Sequence, residues 1–291
     1  MTARDFPMRD GCGSIEKPDS AEVEDLEIRL LLEGVFQRYG YDFRDYALSS
    51  LKRRTRNFSA QEGVSTISAL QEKILRDPEL MERYLHALSV NVTSMFRDPG
   101  FYRAFREKVA PFLRTYPSTR IWHAGCSSGE EVYSMAILLM EEGLHEKTRI
   151  YATDFDEKTL QQAKTGVYPL QAMADHEKNY IESGGKRSLP DYYVARYDHV
   201  MFAERLRENI VWAQHNLVTD GSFNEFHAIV CRNVMIYFNS ALQARVHKLF
   251  HESLARFGIL ALGEKETIHG SPVAACYGTV DEYEKIYKRK Q

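Results

Sequence analysis

An α/β fold in two parts follows from three features of the chain. Roughly the first 90 residues carry helical periodicity and no strand signal. After Pro117, short apolar strands alternate with helices of about 10–15 residues, as in βαβ units on a mostly parallel sheet. The first of those strands runs into a glycine-bounded turn, Gly125-Cys126-Ser127-Ser128-Gly129, where Rossmann-like doubly wound sheets seat nucleoside ligands. The expected organisation is a leader at 1–21, an all-helical module at 22–98 and a Rossmann-like domain at 99–291. A small antiparallel β-subdomain is expected as an insertion at 178–212.

Each element has a local cause. Leu26, Leu30 and Val35 recur at helical spacing through Glu22–Arg38, and Tyr39-Gly40-Tyr41-Asp42 ends that helix in a turn. A second helix is expected at Arg44–Phe58, a third at Ser65–Arg76 before Asp77-Pro78, and a fourth at Glu79–Val90. Strands are expected at Arg120–Ala124, Arg149–Thr153, Ala228–Cys231 and Ile259–Leu262, and helices at Glu130–Glu142, Glu157–Thr165 and Ser240–Phe257. Gly184, Gly185 and Pro190 precede Tyr192-Tyr193-Val194 and His199-Val200-Met201-Phe202, which read as short strands and turns.

Composition narrows the function. With 44% apolar residues the chain can offset its ordering entropy, which excludes intrinsic disorder. Lys and Arg total 38 against 41 Asp and Glu, a net charge of −3, so wholesale nucleic-acid binding is not expected. No apolar run approaches the roughly 20 residues of a membrane span, and Met1–Ser20 carries no secretory signal. Cys12, Cys126, Cys231 and Cys276 form no C-x-x-C pair, so a reducing, cytoplasmic setting is expected, without a metal site. No coiled-coil heptad or long apolar patch is visible, so a monomer is expected.

The glycine turn lacks the G-x-G-x-x-G spacing of dinucleotide sites, and its helix opens with Glu130-Glu131. Two carboxylates at a helix N-terminus repel a pyrophosphate but suit a cationic ligand. S-adenosylmethionine carries an ammonium and a sulfonium and no phosphate. Asp154, ending the second strand 25 residues beyond Gly129, is placed to accept hydrogen bonds from ribose hydroxyls. Taken singly, these carboxylates could equally serve the helix dipole or cap the next helix; in this order and on these elements they favour a methyl-donor site.

Four segments make the sequence recognisable: Asn91-Val92-Thr93-Ser94-Met95-Phe96-Arg97, Trp122 to Ser134, Ala152-Thr153-Asp154-Phe155-Asp156, and Cys231-Arg232-Asn233-Val234-Met235-Ile236-Tyr237-Phe238. In content and order they resemble the CheR-type chemoreceptor glutamate methyltransferases. The resemblance runs from about residue 25 onward. It departs where the family often has Pro at Val132, Phe at Met95 and Ser at His123, none of which removes a polar contact group. It implies a class I S-adenosylmethionine-dependent methyltransferase domain that esterifies glutamate carboxylates and releases S-adenosylhomocysteine, without a metal. Carried over position by position, it implies that Asn91, Thr93 and Arg97 line the cofactor pocket from the N-terminal module, Arg97 facing the methionine carboxylate. Glu131 would hold the cofactor, Asp154 the ribose, and Asn216 and Leu217 the adenine end. Arg232, Asn233 and Tyr237 would lie beside the donor methyl, with Arg97 and Tyr237 as the catalytic pair.

A glutamate side chain has a pKa near 4.3 and is already ionised at neutral pH, so the transfer needs no general base. Orientation alone can supply about 7–11 kcal/mol. For docking, Lys52, Arg53, Arg54 and Arg56 put four cations within five positions, outside a stripe of Leu48, Leu51, Thr55 and Phe58. A charge run is often only a solvated face. In the resembled family, a basic helix here meets the acidic methylation segments of a receptor coiled coil. In some members the β-subdomain also takes the receptor's C-terminal peptide by strand addition. The competing readings are a methyltransferase for small molecules or nucleic acid, a nicotinamide oxidoreductase, and a non-catalytic module that binds S-adenosylmethionine or S-adenosylhomocysteine and regulates a partner.

Overall fold

The computed structural model describes residues 20–89 and 93–290. Four helices open the chain: α1 Ser20–Tyr39, α2 Leu48–Gln61, α3 Ile67–Arg76 and α4 Pro78–Leu88. They enclose a core of their own, with Ile28, Leu31, Val35, Leu51, Phe58, Leu70, Ile74 and Tyr84 buried. Thr66 and Asp77 cap α3 and α4 through their side chains, as their types and positions require. Helix α2 begins four residues after the expected Arg44. The backbone of 45–47 is committed elsewhere: Ala47 N–H donates to the Tyr237 carbonyl (2.8 Å), and the Asp45 carbonyl accepts from Asn239 N–H (2.9 Å).

A helical run that the sequence reading does not name connects the modules: α5 Pro99–Ala104, a π turn at Phe105–Val109, and α6 Ala110–Arg114. Beyond it come β1 Thr119–Ala124, α7 Glu130–Glu141, β2 Thr148–Asp154, α8 Glu157–Thr165, β3 Val167–Pro169, α9 Met173–Glu182, β4 Tyr193–Arg196 and β5 His199–Phe202. The chain continues through α10 Glu204–Arg207, β6 Ile210–Gln214, β7 Phe226–Cys231, α11 Ser240–Ser253, β8 Leu254–Leu262, β9 Tyr277–Asp281 and β10 Ile286–Arg289.

Seven strands form one sheet in the order β6-β2-β1-β7-β8-β10-β9. The first five are parallel; β10 runs antiparallel to both β8 and β9. Strand periodicity sorts the side chains between two cores. Ile121, Ala228, Val230, Ile259 and Ala261 join the core with α7 and the α5–α6 run. Trp122, Ile229, Cys231, Leu260 and Leu262 join the core with α11. Helix α11 stops at Ser253, short of the expected Phe257, because β8 starts at Leu254, and Phe257 takes a left-handed φ of 64° where the β7–β8 register shifts.

The small sheet has the order β3-β5-β4. Its first strand lies at 167–169, ahead of the expected start at 178. Ile210–Trp212, the last residues of the expected insertion, instead belong to β6, which extends the large sheet beside β2. Glu141 at the end of α7 ties this subdomain down. Its carboxylate accepts Tyr180 Oη–H (2.5 Å), Tyr192 Oη–H (2.9 Å), Lys186 N–H (3.0 Å) and Arg106 Nη2–H (2.5 Å), and its side chain is 1% exposed.

Candidate active site

The strand order reverses between β2 and β7 around β1, and doubly wound sheets bind ligands at such a switch point, outside the carboxyl ends of the strands. A cleft lies there, partly open to solvent. Its floor is the turn after β1, Asp154 at the end of β2, His215-Asn216-Leu217 after β6 and 232–238 after β7. The helical module closes it with Tyr46, Arg54, Leu88 and Ser89, and the connecting segment with Thr93, Ser94 and Arg97.

Gly125 is a backbone necessity: its φ is 75°, and a Cβ there would stand 2.6 Å from Val234 Cγ2. The turn it allows brings Ser127, itself at φ 50°, under Asp154, whose Oδ2 accepts Ser127 N–H (2.8 Å) while Oδ1 accepts Asp156 N–H (3.1 Å). Burial pushes the Asp154 carboxyl above its ordinary pKa, against the pull of these backbone donors. The carboxylate lines the cleft and keeps acceptor capacity for a ligand hydroxyl.

The two glutamates that open α7 diverge. Glu130 turns from the cleft, takes Ser128 Oγ–H (2.7 Å), and is pushed up by burial. Glu131 lines the cleft. His123 Nδ1 donates to its Oε1 (3.1 Å), the role an ionised carboxylate leaves to the ring, and Arg232 Nη1 donates to its Oε2 (3.0 Å). Desolvation raises its pKa, but the His123 hydrogen bond and the Arg232 charge outweigh it and hold the carboxyl below the usual range.

Arg232 is buried and its guanidinium is committed. Besides Glu131 it reaches Asp98 Oδ2 (2.7 Å) and the Arg97 carbonyl (3.2 Å), and it lies 4.2 Å from the Phe101 ring centroid. The Arg97 backbone is thus clamped between Phe96 and Asp98, which both have positive φ (50° and 57°), and its side chain lines the cleft. Arg232, expected beside the donor methyl, is therefore also the post on which Arg97 and Glu131 are hung. Asp98 carries no signal in a motif reading; the buried Arg232 requires such a partner.

The cleft brings together Thr93, Arg97, Glu131, Asp154, Asn216, Leu217, Arg232, Asn233 and Tyr237. Asn91 lies outside the described residues. The four cations of α2 do not act as one patch. Lys52 and Arg56 pair with Asp25 and Glu24 of α1. Arg54 turns into the cleft, donates to the Leu88 carbonyl and lies 4.7 Å from the Tyr237 ring centroid. Arg53 alone faces solvent without a partner among the described residues. Among the described residues, no group of three His, Cys, Asp or Glu is placed to hold a metal ion, and no helix is long and apolar enough to cross a membrane.

A doubly wound sheet of this order, with one antiparallel strand inserted near its edge and a ligand cleft over the switch point, is the class I S-adenosylmethionine-dependent methyltransferase fold. The family profile described as "CheR methyltransferase, SAM binding domain" matches residues 91–277, and "CheR methyltransferase, all-alpha domain" matches 26–89. The chain is 46% identical over 265 residues to a Pseudomonas putida protein named as methyltransferase Cher3, covering 91% of this chain and 97% of that one. It is 30% identical to a chemotaxis protein methyltransferase of Listeria monocytogenes (79% and 85% covered). Against chemotaxis protein methyltransferase 2 of Pseudomonas aeruginosa the identity is 32% (70% and 73% covered). The chain belongs to the CheR methyltransferase family, and its function is that of an S-adenosylmethionine-dependent methyltransferase.

Proposed function

We propose that this methyltransferase esterifies glutamate side chains on the cytoplasmic coiled coil of methyl-accepting chemoreceptors, acting as a cytoplasmic monomer. One observation carries the reading. The cleft pairs an acidic floor of Glu131 and Asp154 with a mouth where Arg54 and Tyr237 meet. When bound, S-adenosylmethionine supplies a sulfonium-borne methyl that a carboxylate oxygen takes by in-line displacement as the carbon–sulfur bond breaks, with no proton transferred.

The residues fit that ligand. Glu131 stays anionic through the neutral range and faces the ammonium. Asp154 keeps acceptor capacity for two vicinal ribose hydroxyls, Arg97 faces the methionine carboxylate, and Asn216 and Leu217 bracket the base. Thr93 comes from the connecting segment, and Asn233 and Tyr237 frame the transfer point. Arg53 is the α2 cation left for acidic receptor segments. The small sheet ends on β4, which pairs with no strand on its outer side among the described residues and so could take a receptor C-terminal peptide by strand addition.

Isothermal titration with S-adenosylhomocysteine, run beside Arg97→Ala, tests the site. Micromolar binding by the wild type, lost in the variant, is the expected result. Equal binding by both would remove Arg97 from the site.

A further inference from the structure

Glu266 lies outside every motif of the sequence reading, four residues past the end of β8, yet it is 5% exposed. Its carboxylate accepts four backbone N–H groups. Oε2 takes those of Asn233 (2.9 Å) and Gly263 (2.6 Å), and Oε1 those of Val234 (2.9 Å) and Met235 (2.7 Å). Three consecutive amides of the segment after β7 thus converge on one side chain, forming a nest for an anion that the protein supplies itself. Asn233 is held there at φ 61°, in the left-handed region that few residues other than glycine and asparagine adopt. The packing leaves no slack: a Cβ on Gly263 would stand 2.7 Å from Glu266 Oε2 and 2.8 Å from Asn233 N. Val234, the next residue, seats against Gly125 of the cofactor turn. A short 3₁₀ turn, Met235–Tyr237, then carries Tyr237 to the cleft mouth under Arg54.

We propose that Glu266 is a positioning residue for methyl transfer: its carboxylate sets the left-handed turn at Asn233 and thereby places Asn233 and Tyr237 at the transfer point. The inference rests on the methyl-transfer reading of this cleft. Glutamate is required over glutamine, because an amide would turn an NH₂ toward two of the four N–H donors. Aspartate is one methylene too short to span them. Of the residues proposed to carry the cofactor's charged and ribose groups, Arg97 and Glu131 hang from the Arg232 guanidinium, which Asp98 rather than Glu266 anchors, and Asp154 is set by Ser127 and Asp156, so the effect falls on transfer more than on binding.

The experiment compares wild type, Glu266→Gln and Gly263→Ala for S-adenosylhomocysteine affinity and for transfer of labelled methyl from S-adenosylmethionine to a chemoreceptor cytoplasmic fragment, well below the unfolding midpoint of each protein. Glu266→Gln is expected to weaken affinity by about threefold or less and to lower kcat by about tenfold or more, the scale of loss from misplaced reacting groups. Gly263→Ala, which disturbs the same carboxylate while retaining it, should shift kcat in the same direction. Tyr237→Phe should cost less in the Glu266→Gln background than in the wild type, because both changes act on one placement. A Glu266→Gln protein with a lower midpoint but wild-type kcat, or costs that simply multiply, would make Glu266 a fold-holding residue and overturn the proposal. A wild type that binds S-adenosylhomocysteine and methylates the fragment keeps the underlying reading whatever the variants do; a wild type that does neither overturns both.

Discussion

Asp154 is the residue whose loss should be felt most simply. Its oxygens already anchor Ser127 and Asp156, and the residue lines the cleft. Asp154→Ala is expected to weaken S-adenosylhomocysteine binding by about tenfold or more, since a charge-assisted acceptor is worth about 1.5–3 kcal/mol; unchanged affinity in calorimetry would contradict the ribose assignment. Asp154 and Glu131 are legible in the sequence because each sits at a fixed offset from a strand end or a glycine turn, whereas Arg97 is legible only through the resemblance of its motif. Asp98 and Glu266 are not legible, because each is defined by a partner more than 30 residues away. The direction of Arg54 is hidden for a related reason. Helical periodicity separates the buried from the exposed face, but it does not say which cation at their border meets a neighbouring module.

At the scale of elements, α2 divides its charge between holding α1 and facing solvent. Arg53→Glu should leave cofactor affinity unchanged and slow receptor methylation several-fold at low salt, with the difference shrinking as salt rises; an unchanged rate at low salt would reduce Arg53 to a solvated side chain. Helix α11 buries His247 among Leu242, Val246 and Phe250, and burial lowers its pKa to about 4. Folded His247 stays neutral where the unfolded chain takes a proton. Its contribution therefore turns against the fold as pH drops below about 6.5, approaching about 3 kcal/mol near pH 4. Denaturant unfolding of His247→Leu between pH 7 and pH 4.5 should show a shallower loss than the wild type; parallel curves would contradict the assignment. Glu141 anchors the small sheet, and in denaturant unfolding Glu141→Ala should cost about 1–3 kcal/mol by leaving the Tyr180 and Tyr192 hydroxyls without their acceptor, while Arg106 keeps Glu142. The boundaries of these elements were the least legible part of the fold. Helix α2 starts late because 45–47 pair with 237–239, and Ile210–Gln214 joins the large sheet because β2 offers it an edge.

For the whole molecule, the helical module and the sheet meet at the site as well as along the chain. Tyr46 bridges Phe238, Asp45 takes Asn239 and Arg245, and His86 reaches Asp156 (3.1 Å), whose N–H holds Asp154. The alternation of helices and strands announced both modules in the sequence; their contact, made of pairs about 70 to 200 residues apart, did not follow from any local pattern. Bound S-adenosylhomocysteine should therefore slow hydrogen exchange in the C-terminal part of α4 and in α2 as well as after β1 and β2. Protection confined to the sheet would contradict a cleft closed by both modules.

The central claim is tested most directly by incubating the protein with methyl-labelled S-adenosylmethionine and a chemoreceptor cytoplasmic fragment, then locating the label. The account predicts methyl esters on glutamate side chains, released as methanol by mild base and absent with Asp154→Ala. Base-stable label on nitrogen, or cofactor binding with no transfer to the receptor, would contradict it.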